Sequence, residues 1–371
     1  MNNIKIELWD LVQFNNAQKE WSNLLERSRS DKLFMSWEWL HSWWDVFAHS
    51  NDYTLQIIAA YNSDNTLIGL APLFLLPAKS KKIIKTRRLQ FIGNCWRGPV
   101  TMRTELLDFI VDNNYSMKVN QALFRYINSL TNWDEFILSD LNQESDTYAV
   151  LMKERILKKS YYRNAEEYES YFLSIDTSFD DFCKSLGKNT RLKLLNRRKI
   201  LEKMGVVKYI EMDNEDIESH FKLLNSLHTK RWGIPVFEGD RLKFNNTVAT
   251  LMAKNASVQF SVIKLDNESI SIQYNYVIDK HVYNIQAGFN ENFHNKISLG
   301  YLHFGYAIES AYKTGMKYYD FLAGEGKNTQ YKSRLTDSSH TITSMQIIRS
   351  KYAKSLYYTY DLYKKLMKTN I

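Results

Sequence analysis

A helix start suited to anion binding is the clearest chemical signal in the sequence. A strand is predicted over residues 282–289, and after a polar loop Ser298-Leu299-Gly300 opens a helix. Ser298 is a good N-cap, and Gly300 has no side chain to block an approaching ligand. Lys296 adds a nearby cation. Because first-turn amides and the positive end of the helix dipole attract anions, this segment predicts a pyrophosphate site.

Residue types and spacing exclude several other kinds of site. Two cysteines, Cys95 and Cys183, cannot form a disulfide framework or a structural zinc site, and they suit a reducing cytosol. The eight histidines are scattered, with no pair at the i, i+4 spacing of a zinc-protease helix. No Gly-x-Ser-x-Gly nucleophile elbow is present. We therefore expect no metal and no serine-hydrolase chemistry.

The composition is that of a basic globular protein. Among 371 residues, 44% are hydrophobic, and 49 Lys and Arg against 41 Asp and Glu give a net charge of +8. This excess favours an anionic partner. No signal peptide is recognisable, and the most apolar run, residues 67–78, is shorter than the roughly 20 residues of a spanning helix. We expect a cytoplasmic protein and leave open a peripheral contact with the inner face of the membrane.

The segment 184–203 is strongly basic. It carries one acid, Glu202, and these cations: Lys184, Lys188, Arg191, Lys193, Arg197, Arg198, Lys199 and Lys203. A nucleotide-linked or lipid-linked acceptor, anionic lipid and tRNA all have the charge to bind it, and a solvated helix is the alternative. Since no RNA-binding aromatic motif accompanies the segment, we favour an acidic acceptor or a solvated face over tRNA.

The chain order repeats helices followed by a β-meander. The first unit has predicted helices at 17–29 and 36–47 and strands at 55–61 and 67–76. The second has predicted helices at 215–230 and 240–254 and strands at 258–265, 269–278 and 282–289. This repetition predicts an α/β (α+β) fold of two related halves, 1–170 and 171–371, each a mixed, mostly antiparallel sheet flanked by helices.

A series of motifs follows the same order along the chain. They are Phe34-Met35-Ser36-Trp37-Glu38-Trp39-Leu40, Gly69-Leu70-Ala71-Pro72-Leu73, Asn189-Thr190-Arg191, Leu227-His228, Arg231-Trp232, Tyr319-Asp320-Phe321-Leu322-Ala323-Gly324 and Tyr331-Lys332. With the strand, loop, helix and strand of 282–322, this series resembles the GNAT superfamily of acyltransferases. The resemblance is to its Fem-like and CelD-like branch, which serves polysaccharide and cell-envelope pathways.

The resemblance implies two tandem GNAT-like halves and an acyl transfer. The acceptor is expected on the side of the N-terminal domain, 1–170, and the acyl-CoA site in the C-terminal domain, 171–371. Acetyl-CoA or another acyl-CoA would donate its acyl group to the amine of an amino sugar or cell-surface glycan precursor, nucleotide-linked or lipid-linked. The amine would attack directly within a ternary complex, so no covalent intermediate is needed.

Four side chains are catalytic candidates under this resemblance. Asp320 would orient or deprotonate the amine, although a cap or an ion pair is an equal alternative. Lys332 would stabilise the oxyanion or bind an anionic acceptor. Tyr331 would protonate the leaving thiolate, and His228 would act as a base. Each also suits an ordinary structural role.

Binding candidates complete the expected site. Those for the coenzyme are Ala287, Gly288, Phe289, Lys296, Ser298, Leu299 and Gly300, of which the first three would offer backbone groups to pantetheine. Those for the acceptor are Trp37, Arg231, Gln273 and Tyr274. Strand pairing is the alternative role for 287–289, and core packing is the alternative for the Trp37 helix.

Two rival functions remain at this point. The first is a Fem-type transferase that moves an amino acid from aminoacyl-tRNA to a peptidoglycan precursor, which the basic segment supports. The second is a non-catalytic binding module that keeps the fold. Coenzyme binding separates the acyl-CoA enzyme from both.

Overall fold

The chain forms two compact units, one of them discontinuous in sequence. The computed structural model describes residues 4–48, 52–154, 157, 159–255, 257–324 and 331–369. Unit 1 consists of Met1–Tyr168 and Thr341–Ile371, and unit 2 of Glu169–His340. The chain passes from one unit to the other within strands β7 (Tyr161–Ser174) and β13 (Ser339–Ile348).

Unit 1 is built on a mostly antiparallel sheet. Its strands pair in the order β1-β2-β3-β4-β6-β13, with β5 beside β3. The strands are β1 (Lys5–Trp9), β2 (Thr54–Tyr61), β3 (Leu67–Ser80), β4 (Ile84–Phe91), β5 (Ile110–Val111) and β6 (Glu135–Asn142). The helices are α1 (Leu11–Asn16), α2 (Gln18–Glu26), α3 (Trp37–Phe47), α4 (Ser116–Ser129) and α5 (Asp146–Glu154), and α12 (Lys351–Thr369) follows β13.

Unit 2 repeats this plan. Its strands pair in the order β7-β12-β11-β10-β9-β8. They are β8 (Val207–Met212), β9 (Val258–Leu265), β10 (Glu268–Ile278), β11 (His281–Phe289) and β12 (Tyr318–Ala323), with residues 169–174 of β7. The helices are α6 (Phe179–Ser185), α7 (Lys188–Arg191), a π-helical turn (Leu192–Asn196), α8 (Arg198–Leu201), α9 (Ile217–Trp232), α10 (Gly239–Ala253) and α11 (Leu299–Lys313).

Helices cover both faces of the unit 2 sheet. Helix α9 packs on β10 and β11, whereas α11 packs on the same strands and on the π-helical turn. Two glycines permit this closeness. A Cβ at Gly288 would lie 2.8 Å from the Leu224 carbonyl oxygen in α9, and one at Gly305 would lie 2.1 Å from the Leu194 carbonyl oxygen.

The predicted fold class is confirmed in both units: mixed, mostly antiparallel sheets flanked by helices. Both predicted hairpins form. Asn65 and Asp266 adopt the left-handed conformation in their turns, with φ of 58° and 54°. These residue types tolerate that conformation better than most, which explains why the turns were recognisable from sequence.

The C-terminal segment groups differently from the sequence prediction. The predicted second domain was 171–371, whereas residues 341–371 belong to unit 1 in the structure. Strand β13 pairs with β6, and Arg163 forms a 2.8 Å ion pair with Asp361 of α12. A local pattern could not show this return, because it depends on pairing across about two hundred residues. Nowhere in the described ranges is a helix both long and apolar enough to span a bilayer.

Candidate functional site

Strands β11 and β12 separate partway along their length. They pair in parallel only at His281–Tyr318, Val282–Tyr319 and Tyr283–Asp320. Beyond these pairs, β11 continues along β10 and β12 continues along β7. Among the described residues, no strand pairs with 284–289 on their β12 side. We call the space between 284–289 and 321–323 the β11–β12 gap.

Bulges in both strands accompany the separation. Ile285 is an extra residue in β11, between the pairs Asn284–Asn275 and Gln286–Tyr274. Phe321 is an extra residue in β12, between the pairs Asp320–Phe172 and Leu322–Tyr171. A bulge bends its strand and breaks the regular ladder, which explains why the two strands diverge here.

The end of β12 is held by side chains rather than by a neighbouring strand. Leu322 has a left-handed φ of 59°. Its N–H donates to Asp320 Oδ1 at 2.6 Å. The buried Lys332 Nζ donates to the carbonyl oxygens of Leu322 and Ala323 at 2.8 and 2.9 Å. The Lys332 ammonium therefore anchors the end of β12. The sequence resemblance predicted a different role for Lys332, in which it stabilises the oxyanion or binds an anionic acceptor.

Asp320 lies where the β11–β12 gap begins. It is 2% exposed, and its Oδ2 lies 3.5 Å from His281 Nε2. His281 stacks on Tyr283 with ring centroids 4.0 Å apart. Sequence reasoning selected Asp320 but missed His281, because the two become neighbours only through the parallel pairing of β11 and β12. The pair provides a carboxylate and an imidazole in contact.

Gln273 and Tyr274 lie on opposite faces of β10. Gln273 Oε1 accepts a hydrogen bond from the Tyr319 hydroxyl at 3.0 Å, so the pair spans from β10 to β12. Gln273 Nε2 is buried with no hydrogen-bond partner among the described residues. Tyr274 instead faces α9, where its ring centre lies 5.0 Å from that of Phe221, and its ring stacks on Phe260 of β9 at 4.9 Å. Its hydroxyl contacts that of Tyr276. Gln273 therefore remains a cleft candidate, and Tyr274 packs in the core.

Helix α11 begins after Ser298, as predicted, but neither Ser298 nor Gly300 has the contacts that the sequence prediction gave it. Ser298 is extended, with φ −99° and ψ 97°, but its side chain makes no capping hydrogen bond. Leu299 is buried in the core. A Cβ at Gly300 would lie 2.8 Å from the Phe289 ring, so this glycine makes room for Phe289. Lys296 is exposed beside them.

A basic cavity of about 350 Å³ adjoins the first turn of α11. It is lined by Gly187, Lys188, Asn189, Thr190, Lys193, Tyr301 and Arg334. The lining contains three cations and no carboxylate among the described residues. Lys193 Nζ lies 5.5 Å from the centre of the Tyr301 ring. Its volume is in the range of small-molecule sites. The basic segment was recognisable from sequence, whereas Arg334 was not.

Tyr331 lies between this cavity and the core of unit 2. Its ring centre is 6.0 Å from that of Tyr301 and 5.8 Å from that of Phe304. Burial raises the pKa of Tyr331 to about 12, and the nearby Tyr301 adds to the rise. Its hydroxyl is therefore protonated at neutral pH and is a proton donor.

The remaining candidates have defined contacts of their own. The Arg231 guanidinium lies 4.3 Å from the centre of the Phe289 ring, and its Nε donates to Glu291 Oε2 at 3.0 Å. His228 Nδ1 donates to the Ile234 carbonyl at 2.8 Å. Trp37 belongs to unit 1, where its indole N–H donates to the Phe14 carbonyl at 2.9 Å. Arg231 thus joins the Phe289 region, while His228 and Trp37 have local structural contacts.

Unit 1 contains a corresponding pair of parallel strands whose separation is filled. Strands β4 and β6 pair from Arg88–Glu135 to Gln90–Ile137. Beyond them, Asn94 Nδ2 donates to the Thr104 carbonyl at 2.7 Å and to Asp140 Oδ2 at 2.9 Å. The Leu107 N–H donates to the Asp140 carbonyl at 3.1 Å. The connection after β4 therefore occupies in unit 1 the place that no described residue fills in unit 2.

Comparisons with known proteins agree with this geometry. Residues 188–333 match the family described as acetyltransferase (GNAT) domain. FemX superimposes with a TM-score of 0.58 at 12% identity, covering 92% of this chain and 96% of that one. L-PGS from Bacillus licheniformis gives 0.52 at 12% identity, covering 95% and 96%. A tandem GNAT protein from the clavulanic acid pathway gives 0.50 at 8% identity, covering 94% and 99%. No curated protein matches the sequence.

Fold and sequence therefore define a tandem GNAT-type acyltransferase fold. Residues 188–333 carry the sequence match to the acetyltransferase (GNAT) domain, and the fold of the whole chain is similar to that of FemX, in agreement with the resemblance that the motifs indicated. These likenesses show the fold, and they leave the donor, the acceptor and the roles of single residues as predictions.

Proposed function

We propose that the protein is an N-acyltransferase that uses acyl-CoA, most simply acetyl-CoA, to acylate the amine of an amino sugar or glycan precursor. The observation that carries this proposal is the β11–β12 gap, which leaves residues 284–289 without a β12 partner among the described residues. Within this stretch the Ala287 N–H donates to Gln286 Oε1 at 2.9 Å, and a bound ligand would displace that side chain. The pantetheine arm of acyl-CoA could lie along β11 and form the backbone hydrogen bonds that β12 does not form there, much as an added strand does. The β4–β6 separation, filled by the chain itself, offers no such place.

The phosphates of coenzyme A suit the surroundings of the gap. The cavity with Lys188, Lys193 and Arg334 is also lined by Tyr301 in the first turn of α11, the helix that follows β11 in the chain. Coenzyme A carries several phosphate charges, and helix N-termini and cations both favour anions. The same positive charge would attract a phosphate-bearing acceptor, which is consistent with the net charge of +8.

Proton handling would fall to groups near the start of the gap. The amine must lose a proton before or during attack on the thioester, and Asp320 with His281 forms an acid–base pair 3.5 Å apart. The oxyanion would be stabilised by backbone N–H groups of β11, and the protonated Tyr331 would supply a proton to the leaving thiolate. The new C–N bond forms as the C–S bond breaks, so atoms and charge balance without a covalent enzyme intermediate.

Calorimetric titration with acetyl-CoA and free CoA tests the donor. We expect micromolar binding that weakens at least about ten-fold in Lys193→Glu, because this change replaces a cavity cation with an anion. Lys243→Glu, an equal charge change at an exposed position of α10, should leave the affinity unchanged. Absence of binding to either ligand would refute the acyl-CoA reaction.

Asp320→Asn tests the proton acceptor. The amide keeps the size and still accepts the Leu322 N–H, so we expect folding to be retained and the turnover number to fall by about 100-fold or more. Asp266→Asn is a matched control, because Asp266 also accepts a backbone N–H, that of Val206, at an exposed turn. Near-normal turnover in Asp320→Asn would remove Asp320 from the reaction.

A Fem-type transfer from aminoacyl-tRNA is the second candidate. It is favoured by the basic segment 184–203, part of which lines the cavity, and by the likeness to FemX over nearly the whole chain. Transfer that is abolished by ribonuclease and independent of CoA would select this function. Acceptor binding without turnover by either donor would instead indicate a non-catalytic binding module.

A further inference from the structure

Helix α12 exposes a large apolar surface. Six of its apolar side chains are exposed: Tyr352, Tyr358, Leu362, Tyr363, Leu366 and Met367. Tyr352, the most exposed of them, is 80% exposed. No other described element presents as many exposed large apolar side chains. Soluble surfaces rarely cluster such residues without an interaction that uses them.

These side chains lie together on one side of the helix. Tyr358, Leu362 and Leu366 follow one another at i, i+4 and i+8, and the other three fall beside this row at 3.6 residues per turn. The opposite side packs on unit 1 through Ala353 and Tyr357, which are 0% and 2% exposed. The helix is therefore apolar on two sides, and the described residues of unit 1 cover only one of them.

Positive charge accompanies this surface. Lys351, Lys354 and Lys364 lie on the helix, and its one acid, Asp361, is paired with Arg163 at 2.8 Å. The β3–β4 hairpin adjoins the helix, because Lys81 Nζ lies 3.1 Å from the centre of the Tyr360 ring. Ile83 at the hairpin tip is 73% exposed.

The β3–β4 hairpin contributes further cations to this surface. Lys79, Lys82 and Lys85 are exposed there. A cavity of about 870 Å³ beside them is lined by five cations and by Tyr357 of α12: Lys79, Lys81, Lys82, Arg88 and Arg97. Apolar and tyrosine side chains rimmed by lysines match the chemistry of a bilayer surface that contains anionic lipids.

We infer that the exposed face of α12, with the β3–β4 hairpin, docks unit 1 on an anionic phospholipid membrane. Leucine, methionine and tyrosine enter the boundary between head groups and acyl chains, and lysine stems extend toward the phosphates. A second copy of this chain fits less well, because a two-fold interface would place the same lysines against each other. The inference is independent of the proposed reaction.

Sedimentation of the full chain with lipid vesicles tests the inference. We expect binding to vesicles that contain phosphatidylglycerol, at least about ten-fold weaker binding to pure phosphatidylcholine, and further weakening with added salt. Leu362→Gln with Leu366→Gln should weaken binding about ten-fold without changing charge. Both positions are exposed, so the fold should be unaffected, as circular dichroism would verify.

A matched pair of triple variants separates local from general charge. Lys79→Gln, Lys82→Gln and Lys85→Gln together should weaken vesicle binding by about 100-fold, at roughly one kcal/mol per surface cation. Lys222→Gln, Lys243→Gln and Lys254→Gln remove the same charge from exposed positions of unit 2 and should leave vesicle binding unchanged. Absence of vesicle binding, or equal effects of both triples, would overturn the inference. If the protein does not bind vesicles but forms a dimer that Leu362→Gln with Leu366→Gln dissociates, the face binds a second copy of this chain instead.

Discussion

His303 shows what burial does to a single titratable side chain. It lies fully buried in α11, with its Nδ1 2.7 Å from the Ser271 hydroxyl and its Nε2 3.0 Å from the Ser261 hydroxyl. Burial lowers the pKa of His303 to about 3, because the protein interior disfavours the imidazolium. Two hydroxyls can serve the neutral ring as one donor and one acceptor, so the arrangement ties α11 to β9 and β10.

This shift predicts a loss of stability in mild acid. Below pH 6.5 the unfolded chain protonates this histidine and the folded chain does not, so stability falls as pH falls from 6.5 toward 3. The contribution is roughly 1.4 kcal/mol per pH unit. Between pH 7 and 5.5 the unfolding free energy should therefore fall by roughly 1.4 kcal/mol less in His303→Gln than in the unmodified protein.

Urea unfolding followed by circular dichroism at the two pH values measures this difference. Ser261→Ala is the control, because it removes one hydrogen bond yet keeps the buried imidazole. It should lower stability at both pH values and retain the full pH dependence. An unchanged pH dependence in His303→Gln would show that His303 does not titrate as described.

At the scale of elements, the position of α11 is set by how closely its backbone approaches its neighbours. Gly305 meets the carbonyl of Leu194 in the π-helical turn, whereas Gly300 meets the ring of Phe289. A backbone carbonyl cannot move away without shifting a helical turn, but a phenyl ring has rotamer freedom. A larger side chain is therefore opposed by a rigid backbone group at Gly305 and by a movable ring at Gly300.

This difference predicts unequal effects of alanine at the two positions. Gly305→Ala should destabilise the protein by about 2–3 kcal/mol, because its Cβ would lie 2.1 Å from a backbone oxygen. Gly300→Ala should cost less, since the Phe289 ring can yield and alanine favours the helix by about 1 kcal/mol. Urea unfolding compares them, and equal losses would contradict the close approach of α11 to the π-helical turn.

At the scale of the whole molecule, the two units share a plan but differ at the corresponding pair of parallel strands. Unit 1 fills its β4–β6 separation with Asn94, Thr104 and Leu107, while the β11–β12 gap has no such insertion among the described residues. The backbone groups that the chain satisfies in unit 1 therefore have no strand partner among the described residues of unit 2, where the Ala287 N–H donates to Gln286 Oε1 at 2.9 Å.

One coenzyme per chain is the expected stoichiometry. The same calorimetric titration that tests the donor gives this ratio directly, provided that the active protein concentration is known. A ratio near two would contradict the assignment of unit 1 as filled, whereas a ratio near one agrees with a single open gap. Free CoA should bind with the same number of molecules per chain and should compete with acetyl-CoA, because both ligands carry the same phosphates.

Local sequence patterns predicted much of the fold and selected some residues of the candidate site. The hairpins of β2–β3 and β9–β10, the helices α3, α9 and α10, and the strand–loop–helix order around Ser298 were all recognisable. Asp320 and the basic segment were selected as well. These features depend on alternation, helical spacing and turn residues within a few positions of each other, which is the information that a single sequence carries.

Only the tertiary structure decided which of these residues meet. The His281–Asp320 contact, the Gln273–Tyr319 hydrogen bond and the cavity that adds Arg334 to Lys193 all join residues from different elements. The local sequence likewise could not predict that Lys332 donates to two carbonyl oxygens, or that Tyr274 faces α9. Strand register and helix packing are fixed by burial summed over the whole unit, so no short pattern specifies them.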